Sequence, residues 1–465
     1  MNPVSTFLRP CLLLLLLAGF MPLPARAAGD PFPSYACIQD NVAFWKKVYA
    51  EHASDRGLIH DSQNLGIIYE TISLEEDTRG GAQINERLVK AAKEKYRQLL
   101  TDLAQGRPPA TPEEKRVLEL FGPGVNAATL TAAADNIRFQ RCLSERFQAG
   151  LVRSGRYLGQ IKDIFSQYGL PSDLAYLPHV ESSFNYQAYS KSGAVGIWQL
   201  IRDTGSRFLT INAALDERRD PILATHAAAK FLQGNYRKLE SWPLALTAYN
   251  HGLTSVLRAK NSLGAAYDKI YRDYDGPRFG FASRNFYSEF LAARDIAKNY
   301  QKHFKDLRLD EPVSSGVFTV NSAAHVKDLA SHFKVDLTTL AELNPALRES
   351  VWTGQRPVPK GYSLRLPKTA DTSGRLAAVP PPPVSSPAVS VTKAGQPYRV
   401  KQGDTVVAIA ERYGVSPRDL IASNKLGNGK TLAVGQKLRI PSSASSKPSP
   451  KKSKAKTAQK SAAGG

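Results

Sequence analysis

The stretch from 318 to 344, FTVNSAAHVKDLASHFKVDLTTLAELN, aligns without gaps on 398–424, YRVKQGDTVVAIAERYGVSPRDLIASN. A repeat of this kind constrains the fold strongly, because both copies must satisfy one packing scheme. Each copy opens on a strand-like run, continues with Val, Leu or Ile, and Ala at helical spacing, and closes on an Asn. A short strand-like ending follows, SLRLP in the first and KLRIP in the second. The unit predicted is β-helix-helix-β, roughly fifty residues long. Between the copies, AAVPPPPVSSPAVSV reads as an extended, semi-rigid linker. The 465 residues therefore divide into several domains.

The first residues predict the compartment. MNPVSTFLRP, then the apolar CLLLLLLAGF, then Ala25-Arg26-Ala27 before Ala28 reads as a secretory leader over 1–27, too short to span a bilayer. Cys11 precedes the apolar run and lacks the small residues of a lipid-anchor site, and no later segment predicts a transmembrane helix. Cleavage leaves Cys37 and Cys142, an even pair that in an oxidising compartment predicts a disulfide. Such a bond would stabilise by up to about 4.7 kcal/mol on the entropic model; the alternative is two buried thiols. The net charge of +21 calls for an anionic partner. For an exported chain that excludes nucleic acid and favours acidic wall polymer or a membrane surface.

Residues 28–150 carry helical periodicity in NVAFWKKVY and NERLVKAAKEKYRQLL, with no catalytic constellation, and predict a supporting helical region. From 151 to 310 the pattern stays helical and gains aromatics. Pro171 and Ser172 open a helix with Leu174, Leu177 and Val180 at three-residue spacing, and Pro178 predicts a kink near its end. Glu181 falls in the last turn. A second helix is predicted through Ile197, Leu200, Ile201 and Phe208, and Asp220-Pro221 opens a third as N-cap and N1.

An acid at the end of an apolar helix has its ionised form desolvated, which raises its pKa and suits it to general acid catalysis. The alternative is a Glu that turns to solvent or pairs with Lys191. Asp203, Asp216, Glu217 and Asp220 are further carboxylates, each with a structural explanation as helix face, ion pair or cap. His179 and His251 have no partner spacing that suggests a metal, and Trp198 suits either a sugar face or the core.

HVESSFNYQAYSKSGAVGIWQL, DERRDP (216–221) and SWPLALTAYNHG (241–252), in this order, resemble the lytic transglycosylases of the goose-lysozyme-like superfamily, the membrane-bound lytic murein D type above all. The repeats resemble LysM, a module that binds N-acetylglucosamine-containing glycans. The resemblance implies a mainly α, lysozyme-like (α+β) catalytic domain beside α+β LysM modules of βααβ form. It implies Glu181 as the catalytic acid, and Ser182, Ser190, Gln199, Tyr249 and Asn250 as cleft-lining, with a hydrogen bond from Tyr249 to Glu181. The reaction implied cleaves between N-acetylmuramic acid and N-acetylglucosamine in periplasmic peptidoglycan strands without water, leaving a 1,6-anhydro ring, with no cofactor and no metal. A hydrolytic muramidase and a non-catalytic wall-binding scaffold are the alternatives. The second repeat (397–442) keeps QGDT at 402–405 where the first (314–368) has SAAH, so the first is the degenerate copy. The linker runs over 369–396, and the tail at 443–465 has six Lys and no acid, which predicts disorder.

Overall fold

The computed structural model describes residues 29–76 and 80–370, together with 397–400, 406, 409, 413, 417–424, 426, 432 and 435–441. The leader, most of the linker and the tail lie outside the described residues. Two units are separated, 1–377 and 378–465.

The first unit is mainly helical. Helix α1 (Gln39–Lys46) is followed by a single π-turn, Lys47–Glu51. Strands β1 (Arg56–Asp61), β2 (Ile68–Ser73) and β3 (Ile137–Arg141) form an antiparallel sheet of order β2-β1-β3. Helices α2 (Gly81–Ala104), α3 (Pro112–Glu119) and α4 (Ala127–Asp135) share with this sheet a core of Ile59, Tyr69, Tyr96, Leu100, Val117, Leu130 and Ala134. The sequence predicted helices alone for this region. The sheet escaped because its strands are only five or six residues long and β3 pairs with β1 from beyond the three helices α2–α4. Nor is the region a detached support. Helix α1 packs along the later helix α13 (Phe281–Lys298), and the buried Asn41 amide donates to Tyr271 Oη (2.8 Å) and Asn285 Oδ1 (2.7 Å).

The main core is built by α5 (Ser144–Ser154), α6 (Leu158–Gln167), the short α7 (Leu177–Glu181), α8 (Arg202–Gly205), α9 (Pro221–Leu239), α10 (Trp242–His251), α11 (Leu253–Leu263), α12 (Tyr267–Asp273) and α13. Its centre holds Phe165, Leu177, Trp198, Leu232, Leu244 and Phe290, all essentially inaccessible to water. Helix α9 starts where the sequence predicts, with Asp220 accepting from the Ile222 and Leu223 amides at 2.9 Å each and Pro221 in the first turn. Ala224, Ala227, Ala228 and Ala229 bury its small-residue face and let α10 pack close.

The predicted disulfide is absent: Cys37 and Cys142 are free thiols. Cys142 follows β3 and is fully buried beside Phe44, Val48 and Phe147, whereas Cys37 packs at the edge of the main helical core. Parity and compartment predicted the bond, but the two thiols are built into different apolar clusters.

The first repeat has the predicted order: strand Ser315–Thr319, helices Val326–His332 and Leu337–Leu343, a further short helix Glu349–Trp352, and strand Ser363–Pro367 pairing antiparallel with the opening strand. In the second unit, strands Pro397–Arg399 and Lys437–Arg439 pair antiparallel, and helix Pro417–Ser423 lies between them in sequence. Equivalent residues are buried in both, Val320 and Val400, Val326 and Val406, Leu329 and Ile409, Leu340 and Leu420. The closing Asn earns its repetition. Asn344 accepts from the Arg365 amide (2.8 Å) and donates to the Arg365 carbonyl (2.8 Å). Asn424 makes the same pair with Arg439, at 2.6 and 2.7 Å. Asn344→Ala is expected to cost about 2 kcal/mol, since it strands buried backbone groups at the last strand. A urea midpoint equal to wild type would refute this.

The first repeat is docked on the helical body. Leu215 bridges to Leu347, the Asp216 amide donates to the Ala346 carbonyl (2.8 Å), and Arg365 pairs with the buried carboxylate of Asp220. The repeat thus braces the N-cap of α9.

Candidate active site

The helix predicted from Pro171 is two pieces, a 3₁₀ turn Ser172–Tyr176 and then α7. Pro178 sits in the first turn of α7, where its missing N–H costs nothing, so it starts the second piece instead of kinking the end of one. Glu181 is the last residue of α7, as expected. The chain then reverses through Ser183 and Phe184 at φ 52° and 55°, left-handed backbone that costs free energy for residues other than glycine. Several contacts hold this turn. Arg153 donates to the Ser183 carbonyl from Nε (3.1 Å) and Nη2 (2.6 Å), and the Phe184 amide donates to the Pro178 carbonyl (3.1 Å). Ser182 Oγ donates to the Ile197 carbonyl at 2.9 Å, tying the helix end to the loop that faces it.

Glu181 is partly buried, and its carboxyl is pushed up to about 8. Desolvation is the larger cause and the charge of Glu289 the second. Glu289 comes from α13 and is itself raised to about 7 by desolvation, opposed by the Tyr49 hydroxyl, which donates to its Oε2 at 3.4 Å. Tyr49 and Tyr249 are both raised well above the ordinary phenol value, by burial first and by these carboxylates second. The site is thus two carboxyls between two phenols, with no cation among the groups acting on either acid.

The facing loop, 188–201, is not the predicted helix. Val195 bridges to both Tyr189 and Leu200, and only α8 is helical beyond it. Gly196 adopts φ +77°, and a Cβ there would overlap the Arg218 carbonyl oxygen. Arg218 is the post on which the loop hangs. Its guanidinium is buried, pairs with Asp216 through Nε–Oδ1 (2.9 Å) and Nη2–Oδ2 (2.7 Å), and donates from Nη1 to the carbonyls of Gly193 (3.0 Å) and Leu200 (3.1 Å).

The other expected site residues take definite places. Ser190 Oγ accepts from the Ser192 (3.2 Å) and Ala194 (2.9 Å) amides, so it shapes the loop. Gln199, at φ 45°, donates to the Gly196 carbonyl at 2.9 Å. Tyr249 does not hydrogen-bond Glu181. Its hydroxyl donates to the Trp198 carbonyl at 2.7 Å, and the ring stands close enough for the Glu181 charge to act on it. Asn250 is exposed and accepts from Ser283 Oγ at 3.3 Å. Trp198 is a core residue, 0% exposed, donating to Thr225 Oγ1. His179 is also core, with neither ring nitrogen partnered and its pKa lowered to about 3 by burial. No group of three or more His, Cys, Asp or Glu among the described residues is placed to hold a metal, and no described helix is long and apolar enough to cross a membrane.

Three of the four spare carboxylates are committed to structure. Asp216 holds Arg218, Glu217 accepts from the Thr210 amide (2.6 Å), Asp220 caps α9, and Asp203 is exposed on α8. The acid that sequence reading missed is Glu289. Its signal was the one that marked Glu181, a lone carboxylate in a buried run, here between Tyr287 and Ser288 on one side and Phe290 and Leu291 on the other. Tyr49 carried no signal.

Residues 161–271, which hold Glu181, the loop and Tyr249, match the model of the transglycosylase SLT domain, and 398–441 match that of the LysM domain. The chain carries an SLT domain and a LysM domain. It is 29% identical over 297 residues to the membrane-bound lytic murein transglycosylase D of Escherichia coli (strain K12) and, equally, to that of E. coli O6:H1. That alignment covers 62% of this chain and 64% of the relative, so the chain spans somewhat less than two thirds of the curated relatives it matches. Among solved structures, an inactive mutant of the lytic transglycosylase Slt from Pseudomonas aeruginosa is 20% identical, covering 32% of this chain and 25% of that one at a TM-score of 0.26. The SLT match ends before α13, and so leaves out Glu289.

Proposed function

We propose that this protein is an exported peptidoglycan lytic transglycosylase, held on the wall by its LysM domain. The observation that carries the reading is Glu181 at the end of α7 inside the SLT domain, where desolvation raises its carboxyl to about 8. Glu181 protonates the glycosidic oxygen between N-acetylmuramic acid and N-acetylglucosamine as that bond breaks. The resulting carboxylate then takes the proton of the muramic acid 6-hydroxyl, whose oxygen closes on C1 to give the 1,6-anhydro ring. Acid and base are one residue, and the substrate supplies the nucleophile. A hydrolase needs a second acid to activate water or trap the sugar; Asp216, Glu217 and Asp220 are engaged elsewhere, Asp203 is exposed on α8, and Glu289 is held by the Tyr49 hydroxyl. Gln199 and Asn250 meet sugar amides and hydroxyls, Ser182 and Ser190 fix the loop that carries Gln199, and Tyr249 walls the acid.

Wall attachment falls to the second repeat. It keeps the sequence QGDT at 402–405, which lies outside the described residues, whereas the first is docked on the body. A module of modest affinity on the Pro-rich linker raises the effective concentration of the catalytic site at the polymer. The leader at 1–27 sends the chain to the periplasm, where the wall supplies the anionic partner for its positive charge.

The test is mass spectrometry of soluble products from purified sacculi. Anhydro-muropeptides are expected from wild type. Products heavier by one water would make the protein a muramidase, and wall binding without products would make it a scaffold.

A further inference from the structure

Tyr49 stands at the head of an aromatic column that ends at the catalytic helix. Its ring stacks on Phe147 (5.1 Å between centroids), Phe147 stacks on His179 (5.0 Å), and His179 lies two residues before Glu181. Val180 packs into the same cluster as Tyr49, Ala292 and Ala293, which joins α7, the π-turn after α1, and α13. These packed elements give the Tyr49 hydroxyl a fixed place, and its partner there is Glu289.

We propose that Glu289 is the second carboxyl of this site, a positioning residue whose negative charge, held by the Tyr49 hydroxyl, adds to burial in keeping the proton on Glu181. The inference rests on the transglycosylase reading for its purpose, though not for its physics. Two carboxyls in one poorly solvated site do not both ionise, so the one with a hydrogen-bond donor ionises first and burdens the other. Glu289 has the Tyr49 donor, while no described donor is assigned to Glu181. Of the elements packed on α13, the π-turn presents Tyr49 and α7 presents Glu181, and Arg146 of α5 acts on Tyr49. Of the remaining charges of α13, Arg284 near its N-terminal end donates to the carbonyls of Tyr271 and Tyr274, while near the C-terminal end Asp295 pairs with Lys46 and Arg294 and Lys298 pair with Asp173. At its other end Ser283 lies 3.0 Å from His251 Nδ1. Among the described residues no cation acts on either acid, and the Arg146 charge acts on Tyr49.

The test is an infrared titration of protonated carboxyls in the intact protein, with the pH–activity profile on sacculi beside it. Wild type is expected to lose this absorbance in two steps above about pH 6. Glu289→Gln should keep one step, about one pH unit or more below the upper wild-type step, and the alkaline limb of its activity should move with it. Glu289→Asp, which restores a charge, should move both back. If Glu289→Gln does not fold, Glu181→Gln takes its place and should keep only the lower step. A single step in wild type, or an upper step and alkaline limb unmoved in Glu289→Gln, overturns the proposal. The titration needs no turnover, so an inactive protein with two steps would count against the transglycosylase reading and for the pair.

Discussion

Glu181→Gln should lower turnover of peptidoglycan by about three orders of magnitude, within the range general acid–base catalysis supplies, and should leave the protein folded. The amide nearly keeps the shape of the carboxyl and removes only the proton that is transferred. Its effect on stability has a sign that distinguishes it from a packing defect. The carboxyl titrates at about 8 in the folded protein against 4.5 for an ordinary Glu. Between those values the folded state holds a proton that the unfolded state has released, so stability from this group is full below 4.5 and falls as pH rises toward 8. Glutamine carries no such burden. The variant should therefore unfold at a higher temperature than wild type at about pH 9, and the difference should close near pH 4. Wild-type activity should hold up to neutrality and fall above about pH 8, where the acid has lost its proton. A variant that retains activity within tenfold, or that melts lower than wild type at high pH, would remove Glu181 from the role.

What was legible in the sequence was local. Asp220 and Pro221 announce a helix start because capping is decided by three adjacent residues, and the structure builds that cap. The repeat was legible because two copies of one pattern check each other, down to Asn344 and Asn424 at the same joint. The loop at 188–201 misled because Ile197, Leu200 and Ile201 fall at helical spacing for another reason. Gly193 and Gly196 at φ +79° and +77° and Gln199 at 45° break the helix, while Ile197 and Leu200 are buried by the turn they flank. Glu289 and Tyr49 were hidden for a different cause. Glu289 shows in sequence only as a lone acid in an apolar run and Tyr49 not at all, and only the packing of α13 against α7 and the π-turn brings them to Glu181. The Cys37–Cys142 expectation failed likewise, because parity says nothing about distance.

Arg218→Ala should be the most damaging substitution away from the carboxyls, costing about 3–5 kcal/mol, the range for removing one partner of a buried ion pair. The guanidinium makes four hydrogen bonds at 2.7–3.1 Å, two to Asp216 and one each to the carbonyls of Gly193 and Leu200. Truncation leaves Asp216, 5% exposed, with a charge facing protein and no counterion. It also frees the loop at Gly193 and Leu200, on either side of Gly196, Ile197 and Gln199. Activity should therefore drop even below the melting temperature, because the Ser182 bond to Ile197 then ties α7 to a loop without its post. The argument predicts its own rescue. Asp216→Asn combined with Arg218→Met removes the unpaired charge and refills the volume, and should recover most of the lost stability but not the loop contacts. Thermal melts separate the contributions: the double variant should unfold well above Arg218→Ala while staying poor in turnover. If Arg218→Ala melts within a few degrees of wild type, the pair is not what holds the loop, and DERRDP would have to be reconsidered as a candidate for chemistry.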